Sequence, residues 1–334
     1  MNFLNDDFAL ISTADGELLV GEGPFTEFSQ CPRDGVAFYK NDFALSDSKP
    51  WKVPKQVHRL KADALQDFVS PNVCWQAPEA GGFARIFSEI NETIQTGGLE
   101  KSVPVATECG VVESGLVRGL LGQLADHRKP FYSYAWVEGK NGFCGQTPEL
   151  LFQLRKGRFK TMALAGTARA SDRSVFAFDE KEIREHEYVA QTLVANLSDL
   201  GMVKRSERRI MDLGELVHFH TPLEIFMYGD QSIDFLLRKM HPTPALGPHP
   251  RTQETLEMLY RWRNELEAPA YFGAPFGVYD NGVFHAVVTI RGVYWSGNEI
   301  QVPSGCGVIE ASRLTNEWRE LELKRNAVKA RFRI

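Results

Sequence analysis

The amino-acid sequence predicts an α+β fold in which mostly antiparallel sheets are covered by helices. Short turn signals separate β-rich runs, at Asp15-Gly16, Lys156-Gly157 and Asn281-Gly282. Such short connections require antiparallel strands, because parallel strands need long crossovers. Between these runs lie stretches whose apolar residues recur with a period near 3.6, which is typical of amphipathic helices. Sheets and helices that follow one another in this way define the α+β class.

The strand predictions follow the chain from its N-terminal end. Residues 8–23 predict a hairpin around Asp15-Gly16. Residues 149–168 predict two strands joined at Lys156-Gly157. Residues 276–305 predict three strands, with turns at Asn281-Gly282 and near Gly297-Asn298.

Four segments predict helices: 82–97, 179–201, 251–267 and 314–332. The second is expected to stop at Gly201, because glycine is common just past a helix end. No low-complexity linker divides the chain, so we expect a single domain over residues 1–334. Within it, the β-rich residues 1–75 could form a partly separate layer.

Composition excludes several classes of protein. The formal net charge is -5 and no block of basic residues occurs, so we expect neither a nucleic-acid partner nor attraction to an anionic membrane. The sequence has no run of 18 apolar residues and no N-terminal secretory signal pattern. Its five cysteines are widely spaced without a CxxC pair, which favours reduced thiols and a cytoplasmic location.

Two predicted helices each carry a pair of glutamates three residues apart, Glu182 with Glu185 and Glu317 with Glu320. This spacing puts both carboxylates of a pair on one helix face. Two such faces brought together would offer oxygen ligands to a hard cation. Mg²⁺ prefers that setting, taking one or two carboxylates while keeping some waters.

Helix stability alone would also explain either pair. Asp179 followed by Glu182 has the spacing of a capping box, which would account for Glu182 by helix initiation. Glu320 and Lys324 are four residues apart and could form a surface ion pair of little energetic value. Spacing alone therefore leaves both interpretations open, with the structural one commoner.

Single residues elsewhere are open in the same way. Glu149 stands at the edge of an apolar strand, where loss of water would raise its pKa toward that of a general acid, although a solvated strand end is commoner. Lys101 enters a buried strand and could serve as a base, although such lysines more often extend to water. Arg291, in a β run, could pair with a carboxylate or simply face outward.

Glycines and histidines add two further candidates. Gly305 and Gly307 could let backbone N–H groups approach an anion, or could form a turn. His218 and His220 alternate with apolar residues on a predicted strand and would share one face. Because no third metal ligand is indicated nearby, a structural role is favoured for them.

Taken together, nine segments resemble the chorismate-utilising enzymes, the family that includes anthranilate synthase, aminodeoxychorismate synthase, isochorismate synthase and salicylate synthase. The resemblance covers residues 80–325, the motif-bearing catalytic part, whereas residues 1–75 match poorly. One such motif would be weak, but nine in the correct order and spacing are specific. The segments read IQTGGLEKSVPV, TPELL, ALAGTARA, KEIREHEYV, HPTPALG, YFGAPFG, VVTIRG, GCGVI and EWRELELK.

The resemblance implies two antiparallel sheets with helices outside and the active site between them. It implies Mg²⁺ as cofactor, with Glu185 and Glu320 as ligands and Glu182 and Glu317 holding the ion directly or through water. It also implies contacts with chorismate. The matched substrate-binding positions are Gly166, Thr167, His241, Ala245, Leu246, Tyr271, Arg291, Gly305 and Lys324.

The resemblance further implies two catalytic residues. In the family's isochorismate synthases, the lysine matched by Lys101 activates water for attack at ring C2, and the glutamate matched by Glu149 protonates the departing C4 hydroxyl. A neutral lysine and a protonated glutamic acid near pH 7 are each opposite to the usual state, so both pKa values must be shifted. The segment KSVPVA departs from the common family pattern after the lysine, and this could alter rate or choice of nucleophile.

HPTPALG indicates an isochorismate synthase, because ammonia-using members usually have further threonines where this chain has Ala245 and Leu246. The sequence contains no glutamine amidotransferase region and no tryptophan-feedback motif. We therefore expect an isomerase that makes isochorismate without an amidotransferase subunit, with a monomer favoured. The product would feed menaquinone biosynthesis, the preferred pathway, or siderophore biosynthesis.

Three alternatives remain open. A salicylate synthase would perform the same first step and then eliminate pyruvate. An anthranilate or aminodeoxychorismate synthase component I would use ammonia in place of water. An inactive homologue would bind chorismate without turnover, which is disfavoured because every matched acid, base and metal position is filled.

Overall fold

The computed structural model of the chain describes residues 6–13, 17–65, 68–125 and 130–334. Its strands are β1 Asp7–Ser12, β2 Leu18–Glu22, β3 Thr26–Phe28, β4 Val36–Lys40, β5 Trp51–Val53, β6 Gln56–Leu60, β7 Asn72–Gln76, β8 Lys101–Ser102, β9 Val105–Ser114, β10 Tyr132–Glu138, β11 Asn141–Thr147, β12 Leu150–Arg155, β13 Arg158–Arg169, β14 Gly201–Arg205, β15 Arg209–Asp212, β16 Leu216–Met227, β17 Pro275–Asp280, β18 Val283–Val288, β19 Gly292–Ser296, β20 Glu299–Gly305 and β21 Val308–Ile309. Its α-helices are α1 Ala80–Gln95, α2 Arg173–Phe176, α3 Glu180–Leu197, α4 Ile233–Met240, α5 Gln253–Glu265 and α6 Leu314–Phe332. Short 3₁₀ helices span Ala62–Leu65, Val117–Ala125 and Ala170–Asp172.

Two large sheets organise these elements. One has nine strands in the order β6-β2-β1-β10-β11-β19-β20-β9-β7. The other has ten, in the order β14-β16-β13-β12-β18-β17-β4-β5-β3 with β15 beside β16. A small third sheet pairs β21 with β8. The paired strands in the described ranges run antiparallel, so the predicted α+β class is confirmed.

The predicted hairpins are present. β12 and β13 meet across Lys156-Gly157, where Arg155 pairs with Arg158. β17 and β18 meet across Asn281-Gly282. β1 pairs with β2 as expected, although the Asp15-Gly16 turn itself lies outside the described residues.

The four predicted helices are present as α1, α3, α5 and α6, while the shorter α2 and α4 were not predicted. The predicted stop at Gly201 was wrong, because α3 ends at Leu197. Gly201 instead begins β14 and pairs with Met227. The apolar pattern continued past the helix because Leu200 is also buried, in the turn that leads into the sheet.

Strands from the first 75 residues belong to both large sheets rather than to a separate layer. β1, β2 and β6 extend the nine-stranded sheet, and β3, β4 and β5 complete one edge of the ten-stranded sheet. The two sheets meet through an apolar cluster that includes Ile11 and Leu19 from one and Phe38 and Phe276 from the other. Burying the inner face of each sheet in this way supplies the main driving force for their packing.

Helices cover the outer faces of this sandwich. Apolar side chains of α3, α4 and α5 pack on the ten-stranded sheet, as Leu193, Leu236 and Leu259 show. The C-terminal part of α6 packs on the nine-stranded sheet through Val328 and Phe332. Among the described residues, no helix combines the length and apolar character needed to cross a membrane.

Candidate active site

A cavity of about 710 Å³ lies between the sheets, where the ends of several strands meet α3 and α6. Ten of the predicted site residues line it. These are Glu149, Gly166, Thr167, Glu185, Ala245, Leu246, Arg291, Gly305, Glu320 and Lys324.

Glu149 is buried at one wall of the cavity, immediately before β12. Its Oε1 accepts a hydrogen bond of 2.9 Å from the hydroxyl of Thr243, in the loop after α4. Burial raises the pKa of the Glu149 carboxyl to about 7, while the Thr243 hydroxyl and Lys101 partly oppose the shift. A substantial fraction of Glu149 therefore keeps its proton at neutral pH.

Lys101 is 2% exposed and lies just behind the cavity wall, in β8. Burial lowers the pKa of its ammonium group, against the opposing effect of Glu185 and Glu149. Its Nζ donates a hydrogen bond of 2.8 Å to the carbonyl of Pro244. The amine is thus held beside the loop that also carries the partner of Glu149.

Gly307 separates Lys101 from Glu185. A Cβ atom at position 307 would lie 2.7 Å from Oε1 of Glu185 and 3.1 Å from Cε of Lys101. The first distance is shorter than real Cβ contacts allow, so only glycine leaves both side chains where they are. At Gly307, the backbone of the GCGVI segment therefore lies close to the side chains of Glu185 and Lys101.

The four predicted metal ligands come together where α3 meets α6. Glu185 and Glu320 line the cavity, whereas Glu182 and Glu317 lie behind them. Burial raises the pKa of Glu182 to about 7, with repulsion from Glu185 as the next cause. Burial followed by repulsion from Glu320 raises the pKa of Glu317. A cation would stabilise carboxylates that repel one another in a buried site.

Lys181 supplies positive charge to this cluster. Its Nζ lies 3.4 Å from Glu182 and 3.5 Å from Glu317, and it was not predicted. Within the described ranges, no three Asp, Glu, His or Cys side chains are set closely enough to hold an ion together. Mg²⁺ does not need three, since it commonly takes one or two carboxylates plus water and substrate oxygens.

Glu182 lies in the first turn of α3, and its side chain does not form the capping box that the spacing from Asp179 allowed. Asp179 accepts a hydrogen bond from the Glu182 backbone N–H at 3.1 Å, so the N-cap is real. The Glu182 side chain instead accepts one of 2.8 Å from the backbone N–H of Thr167. That contact depends on a bulge in β13 at Gly166, whose φ of +76° favours glycine. The AGT segment is thereby tied to the carboxylate cluster.

Arg291 and His218 form a second wall of the cavity. Nδ1 of His218 must donate to the Gly166 carbonyl, 2.7 Å away, because that oxygen can only accept. Nε2 is then free of hydrogen and accepts from Arg291 at 2.9 Å. Burial and the Arg291 charge hold the pKa of His218 well below its ordinary value. The expectation of a purely structural His218 misses this contact, because only the fold brings residues 218 and 291 together.

Lys324 and Gly305 lie on the side of the cavity formed by α6 and β20. Nζ of Lys324 donates to the Gly305 carbonyl at 2.8 Å and pairs with Glu320 at 2.5 Å. The ion pair considered for Glu320 is therefore present, but it faces the cavity and is mostly shielded from solvent. The lysine ammonium is thus positioned to face an anionic substrate.

Two predicted substrate contacts do not reach the cavity. His241 is buried and its Nε2 donates to the Phe43 carbonyl at 2.7 Å, while burial lowers its pKa to about 3. The side chain of Tyr271 packs on Phe143 and lies near the ammonium of Lys40. Both predictions came from the family resemblance of the segments that hold these residues, and other residues of the same segments, Leu246 and Phe272, do line the cavity.

Comparison with known proteins adds three findings. Residues 46–331 match a family model described as chorismate binding enzyme. The chain is 28% identical over 223 residues to isochorismate synthase MenF of Bacillus subtilis strain 168, which covers 62% of this chain and 46% of that protein. It is also 28% identical over 240 residues to isochorismate synthase EntC of Escherichia coli K12, covering 68% of this chain and 59% of that one. The matches thus span about half the length of these relatives.

One solved structure shares the fold over nearly the whole chain. It is that of MenF, the menaquinone-specific isochorismate synthase from Escherichia coli, with a TM-score of 0.81 and 18% identity. The likeness covers 98% of this chain and 88% of that one. It confirms the predicted two-sheet architecture.

Proposed function

The chain belongs to the family of chorismate-binding enzymes, and from that premise we propose that it is an isochorismate synthase, an isomerase that converts chorismate to isochorismate. The observation that carries the proposal is the opposite shift of two pKa values beside one cavity. Burial lowers the pKa of Lys101 and raises that of Glu149 to about 7. A buried neutral amine and a buried protonated acid are the pair needed to add water and remove a hydroxyl.

Each residue has one proton to move. The neutral Nζ of Lys101 accepts a proton from water as the water oxygen bonds to ring C2. The ring double bonds shift as the C4–oxygen bond breaks, and the carboxyl of Glu149 gives its proton to the departing hydroxyl, which leaves as water. One water is consumed and one released, so the substrate is isomerised. Return of the proton from Lys101 to Glu149 through solvent restores both groups.

The opposite walls of the cavity would hold the two substrate carboxylates. Arg291 is half-buried and oriented by His218, so its remaining N–H groups can donate to one of them. Lys324 adds a second positive charge on the α6 side. Ala245 and Leu246 line the cavity with apolar side chains that would face the ring. Neither side chain has a polar group that could hydrogen-bond ammonia.

The carboxylate cluster fits a magnesium ion. Glu185 and Glu320 would bind it from the cavity side, with Glu182 and Glu317 behind them, directly or through water. The like-charge repulsion within the cluster supports this assignment. When bound, the ion would neutralise a substrate carboxylate and draw electron density from the ring.

Product analysis tests the proposal. Purified protein is incubated with chorismate, with and without MgCl₂, and the products are separated by liquid chromatography. We expect isochorismate that depends on magnesium. Salicylate with pyruvate would identify a salicylate synthase, an amino product with added ammonia would identify component I chemistry, and no turnover under any condition would refute an enzymatic role.

Two further properties remain proposals. The relatives are named isochorismate synthases, and that reaction uses water rather than ammonia, which supports a chain that acts without an amidotransferase subunit; a monomer is the proposed state. The five cysteines are all free, which supports a reducing compartment such as the cytoplasm.

A further inference from the structure

A second cavity, of about 1560 Å³, opens between the two sheets away from the active site. The two cavities share no lining residue. They lie at opposite ends of β12, because Glu149 precedes its first residue and Arg155 is its last. The second cavity is lined by Thr13, Glu17, Leu19, Arg59, Gln153, Arg155, Lys156, Arg158, Lys160, Val278, Asp280, Val283 and His285.

Strand register explains why these side chains meet. Cross-strand partners point to the same face of a sheet. One row runs Lys160, Gln153, His285, Val278 across four strands, and the next runs Arg158, Arg155, Val283, Asp280. Both rows face the other sheet. Positions that would ordinarily pack an apolar core between two sheets thus carry mostly polar and basic side chains, and they enclose space.

The charge of this cavity is opposite to that of the whole protein. Of the residues that the structure describes, five basic and two acidic side chains line it, in a chain whose formal net charge is -5. The guanidinium of Arg59 forms an ion pair of 2.5 Å with Asp280 and lies 3.9 Å from Glu17, so this one arginine pairs with both acidic side chains of the cavity. Arg158 and Lys160 lie only at the outer limit of ion pairing with Glu224, at 3.9 and 3.8 Å. The basic hairpin therefore retains uncompensated positive charge.

Buried polar atoms of the same cavity lack partners. His285 is 5% exposed, and neither of its ring nitrogens has a hydrogen-bond partner among the described residues; within the same part of the chain, the buried hydroxyl of Thr13 also has none. Buried polar groups without a partner are uncommon unless water or a ligand completes their hydrogen bonds. Burial lowers the pKa of His285 to about 4, and the neutral ring offers one donor and one acceptor.

We propose that this cavity binds a small multivalent anion that also carries a hydroxyl or carbonyl group. Arg155, Lys156, Arg158 and Lys160 would hold the anionic groups at the mouth, and His285 and Thr13 would hydrogen-bond the polar part inside. Phosphate and carboxylate groups share this chemistry. The site is separate from the proposed reaction and stands whether or not chorismate is the substrate.

Isothermal titration calorimetry without magnesium tests the site, with glycerol 2-phosphate and citrate as the two probes, since each carries a hydroxyl beside its anionic groups. We expect saturable binding of at least one probe, at one molecule per chain. The double variant Arg155→Gln/Lys160→Gln should weaken it at least tenfold, and because both side chains are exposed the fold should persist. His285→Phe, which fills the interior with an apolar ring, should weaken it as well.

Two controls separate this site from other anion binding. Lys49→Gln/Lys204→Gln removes two exposed positive charges elsewhere and should bind like the wild type. Arg291→Gln, in the other cavity, should also bind like the wild type. Absence of binding to both probes, equal losses in the two double variants, or a loss confined to Arg291→Gln would each overturn the proposal. Whichever probe binds more tightly identifies the anionic group.

Discussion

Nε2 of His218 accepts a hydrogen bond from the guanidinium of Arg291, with 2.9 Å between the nitrogen atoms. The Gly166 carbonyl fixes the tautomer from the other side of the ring. A neutral histidine thus orients a half-buried arginine, whose pKa burial lowers to about 10. If Arg291 holds a substrate carboxylate, His218 is a positioning residue for substrate binding.

His218→Phe keeps a ring of similar size but removes the acceptor for Arg291. A hydrogen bond to a charged group contributes roughly 1.5–3 kcal/mol, so we expect KM for chorismate to rise about tenfold or more. His220→Phe, two residues further along β16 and outside the cavity, is the matched control. Steady-state kinetics measure the change, and an unaltered KM in His218→Phe would remove the positioning role.

Lys101→Ala should lower kcat by about 10²–10⁴, the usual contribution of a general base. Binding of magnesium and chorismate, measured by calorimetry, should be largely retained. Lys101→Arg introduces a guanidinium that stays positively charged and cannot act as a base, and it should be equally inactive. Full activity in either variant would show that Lys101 is not the base.

Glu149 predicts how activity and stability depend on pH. Its pKa is raised from 4.5 to about 7. Below about pH 4.5 the carboxyl is protonated in both the folded and the unfolded chain, so it costs the fold no stability. As pH rises from there through about 7, the unfolded chain ionises first, and the free energy of unfolding falls. Ionisation of Glu149 also removes the proton that the general acid must donate, so kcat should fall as pH rises above about 7.

Thr243→Val sharpens that prediction. The Thr243 hydroxyl favours the ionised carboxyl by donating to it, and its removal should raise the pKa of Glu149 further. The alkaline limb of the pH–kcat profile should then move to higher pH. Glu149→Gln should abolish turnover. A limb that stays in place in Thr243→Val would assign the titration to another group.

Gly307→Ala should lower kcat at least tenfold with little loss of stability. The added methyl group would meet the carboxylate of Glu185 at 2.7 Å and Cε of Lys101 at 3.1 Å, and must displace one of them. Gly81→Ala, on an exposed helix face with open space around it, is the control. Wild-type kinetics in Gly307→Ala would show that neither side chain needs its present position.

Lys181→Gln should raise the affinity for magnesium, because its ammonium group lies between Glu182 and Glu317 and competes with a bound cation. The metal-free variant should melt at a lower temperature, since the carboxylates lose their counter-charge. Glu320→Gln should show the opposite affinity change. Calorimetry with MgCl₂ and thermal melts with and without metal measure both effects. Equal magnesium affinity in Lys181→Gln and wild type would contradict the competition.

The sequence predicted the elements well where the information is local. The Lys156-Gly157 and Asn281-Gly282 turns and the four amphipathic helices follow from neighbouring residues and are present. The misplaced end of α3 has a tertiary cause, because Leu200, three residues past the helix end, is buried in the same apolar cluster as Leu197 of α3 and Ile225 of the sheet.

Motif order predicted the family and half of the residues that line the cavity. His241 and Tyr271 fall outside the cavity because a motif identifies a segment, not the direction in which each side chain points. In the same segments, the side chain of Leu246 turns toward the cavity while His241 binds the Phe43 carbonyl. Burial around one residue is set by chain that is distant in sequence.

The sequence by itself determined the α+β class, three groups of hairpin strands, the four long helices and membership of the chorismate-binding family, since each rests on local pattern or motif order. Only the tertiary structure supplies the burial that shifts the pKa values of Glu149 and Lys101. That burial depends on contacts between distant parts of the chain, such as the one between Lys101 and Pro244, which are 143 positions apart. It also decided that His218 orients Arg291 and that Lys181 stands among the glutamates. Charge, burial and distance act through space, and the fold alone sets which residues share that space.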